Sequence, residues 1–233
     1  MPAYTEEDHK VWAALCERQL PLMERYACRL FLEGFPRLGL DLQRLPDPAV
    51  VSEKLATLSG WTLGDAQNAY LGPTEWFEHL AERRFPVTNY IRKMEELDFT
   101  PLPDLFHEYF GHPAFFADRR FGDIAQSFGP LYLAANEAQR LEIARLWWYT
   151  TEFGLIREEG ELRAFGAGLL SSPGELKHAF APATPRLPFK IRQAAETPSA
   201  VYHMHEAYFI IESLEHVSAI LDAYAKEQGL PRP

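Results

Sequence analysis

The stretch FHEYFGHPAFF, residues 106–116, places His107 and Glu108 ahead of a second imidazole, His112, five positions on from the first. Two imidazoles so close together in a chain point to a metal ion. The spacing argues against a zinc peptidase, whose His-Glu-x-x-His pattern sets its histidines four apart on one face of a helix. An α-helix turns about 100° per residue, so side chains five apart lie about 140° around the axis and splay away from a shared ion. Gly111 and Pro113 supply a remedy, because glycine permits unusual dihedrals and proline disfavours helical backbone at the residue before it. His112 is therefore expected where the helix ends or bulges, its ring swung back beside that of His107.

Two imidazoles are half a site, and Glu152 is the best candidate for the missing carboxylate. It lies in the aromatic stretch WWYTTEFGL, where a bare buried carboxylate is costly to keep ionised and a metal offsets the cost. Two histidines and one carboxylate on one face of an octahedral ion leave three positions open, the arrangement of non-haem Fe(II) oxygenases. Other readings stand beside this one. The histidines are a hydrogen-bonded core pair, with Glu152 paired to Arg145, or Glu108 is the general base of a zinc hydrolase. A non-catalytic helical binding module with structural histidines is the remaining alternative.

The elements that position these residues are mainly helical. Thr5-Glu6-Glu7-Asp8 reads as a capped helix start with carboxylates at the positive end of the dipole. The pattern then runs towards Phe35 with an interruption around Pro21. RLPDPAV leads into a helix ending near Gly60, and residues 61–72 read as loop with some extended backbone. Pro73 opens the helix TEWFEHLAERR. A helix from Pro103-Asp104 carries His107 and His112, and a second long one, NEAQRLEIARLWWYTTEFGL, places Leu141, Arg145, Trp148 and Glu152 at i, i+4, i+7 and i+11. LIREEGELRAFG alternates around Glu159-Gly160 as a β-hairpin does. GAGLLSSPGELKHAF reads as a turn and a helix, AYFIIES as a strand, and LEHVSAILDAYAKEQG as a helix stopped by Gly229. The fold class expected is predominantly α, an α+β chain with a few short strands, in one catalytic domain over 1–233 with N-terminal helices in 5–58.

Composition narrows the partners. The chain has 233 residues, 47% hydrophobic and 13% aromatic, enough for a substantial core. A net charge of −10 argues against nucleic acid or an anionic membrane. No apolar run approaches a membrane span, and the acidic N-terminus lacks the pattern of a secretory signal. Cys16 and Cys28 are expected to be unpaired, in a soluble cytoplasmic protein.

Four stretches, FPVTNYIR (85–92), PDLFHEYFGH (103–112), WWYTTEFGL (147–155) and FGAGLLSS (165–172), together resemble the tetrahydropterin-dependent aromatic amino acid hydroxylases in order and spacing. Weaker similarity extends the match over about 60–214, from GWTL to YFIIES, and the extent resembles the short bacterial form, so a monomer is expected. The resemblance implies Fe(II) and tetrahydrobiopterin or a related tetrahydropterin as cofactors, with His107, His112 and Glu152 as iron ligands. It implies that Arg92 pairs with the substrate α-carboxylate through parallel hydrogen bonds, that Thr100 and Ser171 help hold the amino acid backbone, and that Pro103, His107, Trp148 and Phe153 wall its ring. Glu108 matches the acid beside the pterin, and Leu71 and Trp76 fall where the family packs it.

The chain departs from the family's pattern at Pro113-Ala114, where Val-Pro is usual, at Trp76 in place of phenylalanine, and at Pro86 in place of a histidine. His203 and His205 are read as partly exposed and outside the site. Trp148 resembles the phenylalanine and tyrosine branches and Val201 the phenylalanine branch, which implies hydroxylation of L-phenylalanine to L-tyrosine by O2, with tyrosine or tryptophan hydroxylation as alternatives. The partners implied are small molecules alone: amino acid, O2 and pterin.

Overall fold

A computed structural model describes residues 4–65, 71–98, 100 and 102–232. In chain order the elements are α1 (Glu6–Tyr26), α2 (Arg29–Leu38), α3 (Pro48–Ser59), β1 (Thr62–Asp65), α4 (Pro73–Ala81), β2 (Arg84–Val87), a π-turn (His107–Gly111), α5 (Pro113–Phe116), α6 (Arg119–Ala134) and α7 (Glu137–Trp147). A second π-turn (Trp148–Glu152) follows, then β3 (Leu155–Glu158), β4 (Glu161–Ala164), α8 (Ala167–Ser171), α9 (Pro173–Ala179), β5 (Arg186–Pro188), α10 (Ile191–Glu196), β6 (Tyr208–Ile211) and α11 (Leu214–Gln228). The fold is predominantly helical with short strands, as the sequence implies.

Local signals explain most boundaries. The Thr5 hydroxyl accepts the Asp8 N–H while Asp8 reaches back to the Thr5 N–H, a complete capping box. Gly60 and Gly229 end α3 and α11 in the left-handed region that favours glycine. Glu159 and Gly160 both take positive φ, giving the tight turn that registers Glu158 against Glu161 in the β3–β4 hairpin. That hairpin joins a four-stranded sheet of order β4-β3-β6-β5, in which β3–β6 and β6–β5 are parallel. A separate parallel pair, β1–β2, is bridged by a crossover that includes α4.

Three readings differ from the structure. α1 continues through Pro21 and breaks instead at Ala27-Cys28, where the chain bridges to Ala164. Buried Trp12, Leu15, Gln19 and Met23 hold α1 against the core on both sides of the proline, and this packing outweighs the lost hydrogen bond. α4 ends at Ala81, before the positive-φ residue Arg83. Leu141 is 55% exposed while Glu152 is buried, so the i, i+4, i+7, i+11 face is not one face; the π-turn resets the register after Trp147. α6, β5 and α10 were not anticipated, and residues 66–70 of the 61–72 loop lie outside the described residues.

The buried side chains form one contiguous core from Val11 of α1 to Ala225 of α11. Cys16 and Cys28 are buried and free, and burial pushes both thiols up to about 12, which leaves them inert. No helix among the described residues is long and apolar enough to cross a membrane.

Candidate metal centre and substrate pocket

The two histidines meet because the helix that bears them is not an α-helix. In a π-turn the N–H bonds the carbonyl five residues back, so positions five apart take the relation that positions four apart have in an α-helix. His107–Gly111 is such a turn. It brings His107 Nε2 to 3.1 Å from His112 Nε2. Pro113 then restarts an ordinary helix at its first position, where a missing N–H costs nothing. The bulge foreseen from Gly111 and Pro113 is thus a full π-turn.

Glu152 is delivered by the second π-turn, closed by the Phe153 N–H on the Trp148 carbonyl at 2.9 Å. The same five-residue relation lets the Trp147 indole N–H donate to Glu152 Oε1 at 2.8 Å. Glu152 Oε2 lies 3.5 Å from His107 Nε2, and Oε1 lies 3.3 Å from His112 Nε2. Arg145 donates elsewhere, to the Ala195 carbonyl, so it is not the partner of Glu152. Glycines hold the ligand-bearing turn tight against α8: a Cβ at Gly166 would meet the Glu152 carbonyl oxygen at 2.1 Å, and one at Gly168 the Phe153 ring at 2.5 Å.

The ligand atoms of these three residues lie within 4.8 Å of one another. Hydrogen bonding fixes the tautomer of His107. The Ser171 hydroxyl donates to the Ala167 carbonyl at 2.8 Å, so it accepts from His107 Nδ1–H, also at 2.8 Å. His107 Nε2 is left as a lone pair facing Glu152. Burial, helped by the neighbouring His112 ring, lowers the His107 pKa to about 4. Burial pushes Glu152 up, but the His112 and His107 imidazoles and the Trp147 N–H outweigh it and hold the carboxyl at about 2. A neutral imidazole and an ionised carboxylate are the forms that bind a cation. Lone pairs converging in a buried wall repel one another unless a cation lies among them, so the donor set fits a divalent metal such as Fe(II).

This cluster forms part of the wall of a cavity of about 390 Å³, and all twelve residues singled out in the sequence line it. Arg92 and Asp104 form a pair with side chains 4% and 0% exposed: Nε to Oδ2 and Nη2 to Oδ1, each at 2.8 Å. This is a buried ion pair, not a surface one. Asp104 also accepts the backbone N–H of His107 at 3.2 Å, which ties the arginine to the start of the ligand turn. Sequence reading used Asp104 only as a helix start; its proximity to Arg92 had no signal in the chain. Trp148 packs on Phe153 at 4.7 Å between centroids, and Trp76 meets Trp147 at 4.9 Å. The Thr100 hydroxyl donates to the Leu102 carbonyl, and the Pro103 carbonyl accepts from Tyr90. Glu108 is buried and accepts the Thr88 N–H; burial raises its pKa well above the usual carboxyl value despite that bond.

One correction follows. His205 is 2% exposed and lines the cavity, contrary to its reading as partly exposed; exposed His203 lines it as well. Ser171 bonds His107, while Ser172 caps α9 by accepting the Glu175 N–H.

A buried two-histidine, one-carboxylate cluster opening on an aromatic-walled pocket of this size defines a metal-dependent enzyme for a small aromatic molecule. The family model described as biopterin-dependent aromatic amino acid hydroxylase matches residues 2–233, and the chain belongs to that family. It is 39% identical to phenylalanine-4-hydroxylase of Mesorhizobium japonicum over 228 residues, covering 95% of this chain and 80% of that one. It is 37% identical to phenylalanine-4-hydroxylase of Chromobacterium violaceum, covering 92% of this chain and 72% of that one. A solved Chromobacterium violaceum phenylalanine hydroxylase with bound iron(III) and oxidised cofactor 7,8-dihydrobiopterin superposes with a TM-score of 0.90 at 35% identity, over 97% of this chain and 83% of that one.

Proposed function

We infer that the chain is a phenylalanine 4-monooxygenase, an Fe(II)- and tetrahydropterin-dependent enzyme that converts L-phenylalanine to L-tyrosine with O2. The observation that carries this reading is the convergence of His107, His112 and Glu152 within 4.8 Å on the wall of a cavity also lined by Arg92, Trp148 and Phe153. His107, His112 and Glu152 hold the iron, and Leu71, Trp76 and Glu108 hold the pterin. When bound, the two cofactors supply the electrons and the activation of O2 that hydroxylation of a closed-shell ring requires.

The chain's own residues bind, orient and exclude water. Asp104 engages Nε and one N–H of Nη2, so the Arg92 guanidinium keeps three further N–H groups for a substrate carboxylate. Thr100 and Ser171 flank the amino acid backbone. Trp148, Phe153, Pro103 and the His107 ring wall the aromatic ring, and this apolar lining keeps bulk water away from the reacting centre. Glu108, whose pKa burial raises well above the usual carboxyl value, stands as the acid beside the pterin. Trp148 and Val201 both line the pocket and favour phenylalanine over tyrosine and tryptophan. The enzyme works as a cytoplasmic monomer.

The test mixes the protein with Fe(II), a reduced tetrahydropterin, O2 and equal amounts of labelled phenylalanine, tyrosine and tryptophan. The expected product is tyrosine from phenylalanine, formed only when iron and pterin are both present. Hydroxytryptophan or dihydroxyphenylalanine as main product would overturn the substrate assignment, and a tight tetramer in sedimentation would overturn the monomer.

A further inference from the structure

The pocket wall contains a hydrogen-bonded chain that supports Trp148 from behind. His205 Nε2 lies 2.7 Å from the Trp148 indole nitrogen, and His205 Nδ1 lies 2.5 Å from Glu175 Oε1. An indole N–H only donates, so Nε2 is the acceptor and the ring proton resides on Nδ1. Nδ1–H donates to Glu175, whose Oε1 also accepts the His205 backbone N–H at 3.1 Å and the Tyr208 hydroxyl at 2.5 Å. His178 Nε2 donates to the His205 carbonyl at 2.9 Å, fixing the backbone from the other side. The His205 ring also packs on Phe153, 4.3 Å between centroids. One buried imidazole therefore touches both aromatic residues of the wall, and four groups orient it.

We propose that His205, oriented by Glu175, is a positioning residue for the aromatic substrate. It takes the only polar atom of the Trp148 side chain into the wall, so that Trp148 offers the cavity hydrocarbon alone, and it holds Trp148 and Phe153 at a fixed mutual angle. The α8–α9 segment thereby serves the site at two points. Ser171, the last residue of α8, holds His107, while Glu175, in the first turn of α9, holds the ring wall. Binding that depends on a near-attack geometry loses rate when such a wall shifts by a fraction of a bond length.

The inference rests on the proposed hydroxylation of phenylalanine, so its test carries a readout independent of turnover. His205→Leu removes both bonds, whereas His205→Gln keeps one carbonyl acceptor and one N–H donor at similar separation. His205→Leu is expected to raise KM for phenylalanine about tenfold, the loss of a buried hydrogen bond, and to lower the tyrosine formed per tetrahydropterin oxidised, with iron content unchanged. His205→Gln is expected to recover most of both. Trp148→Phe deletes the donor while leaving His205 in place, and in that background His205→Leu should add no further rise in KM.

In the metal-free full chain, the indole ¹⁵N–H signal of Trp148, assigned with Trp148→Phe, should move in His205→Leu, return in His205→Gln, and shift in the wild type on addition of phenylalanine. Unchanged KM and coupling in His205→Leu, equal impairment in both His205 variants, or additive effects with Trp148→Phe would overturn the proposal. If wild type turns over no aromatic amino acid yet phenylalanine still shifts the Trp148 signal, the proposed reaction fails and the positioning role stands; no shift overturns the role itself.

Discussion

Two stretches of the pocket wall are each organised around a buried carboxylate, and the carboxylates behave oppositely. Beside Trp148 and Phe153, Glu175 accepts from three donors, His205 Nδ1, the His205 N–H and the Tyr208 hydroxyl. Burial pushes it up, but those hydrogen bonds prevail and hold it below the usual carboxyl value. Elsewhere in the lining, Glu108 accepts from one donor, the Thr88 N–H, and burial wins. The number of donors decides the sign of the shift. One carboxylate is consumed in rigidifying an aromatic wall. The other, engaged by one donor, keeps hydrogen-bonding capacity for a ligand.

The His107–His112–Glu152 cluster is common to both stretches, so its removal has the largest expected effect. Glu152→Ala should leave a folded protein that retains no iron and whose hydroxylation falls to background, read by metal analysis and product assay. Undiminished turnover would remove Glu152 from the ligand set. Asp104→Ala comes next, because it leaves the buried Arg92 guanidinium unpaired and frees the start of the ligand turn. A loss of about 3–5 kcal/mol in urea unfolding is expected. A change within the range of an exposed ion pair would mean that Arg92 reaches water or another acceptor. Ser171→Ala tests whether the serine orients His107: iron affinity, measured by chelator competition, should fall by about ten- to a hundredfold. An unaltered affinity would restrict Ser171 to the substrate.

How much of this was legible in the chain depended on the kind of physics involved. The Thr5 capping box, the Glu159-Gly160 turn and the glycine stops at Gly60 and Gly229 rest on local chemistry and emerged where the residues indicated. The approach of His107 to His112 was legible because Gly111 and Pro113 demand a departure from the α-helix just where the His spacing needs one. What escaped was set by distant partners. α6 has a poor helical sequence, RRFGDIAQSFGPLYLA, partly because Gly129 faces the Ala81 backbone, where a Cβ would lie 2.5 Å from the nitrogen. Propensity yielded there to close packing between α4 and α6. His205 carried no signal, since its partners are 30 and 57 residues away.

The smallest expected effect is also the sharpest test of the opening contrast. Glu175 has a folded pKa below its unfolded value of 4.5, so its contribution to stability is present above pH 4.5 and is lost as pH falls through the folded value. Glu108 has a folded pKa above 4.5, so the native state holds that proton longer than the unfolded chain does, and stability declines as pH rises from 4.5 towards the folded value. Glutamine cannot titrate. Glu175→Gln should therefore remove part of the acid-side loss, and Glu108→Gln should flatten the decline on the other side, both followed by thermal unfolding at a series of pH values. The two variants should bend the stability profile at opposite ends. If both bent it at the acid end, burial would not prevail at Glu108, and the contrast between the two carboxylates would collapse.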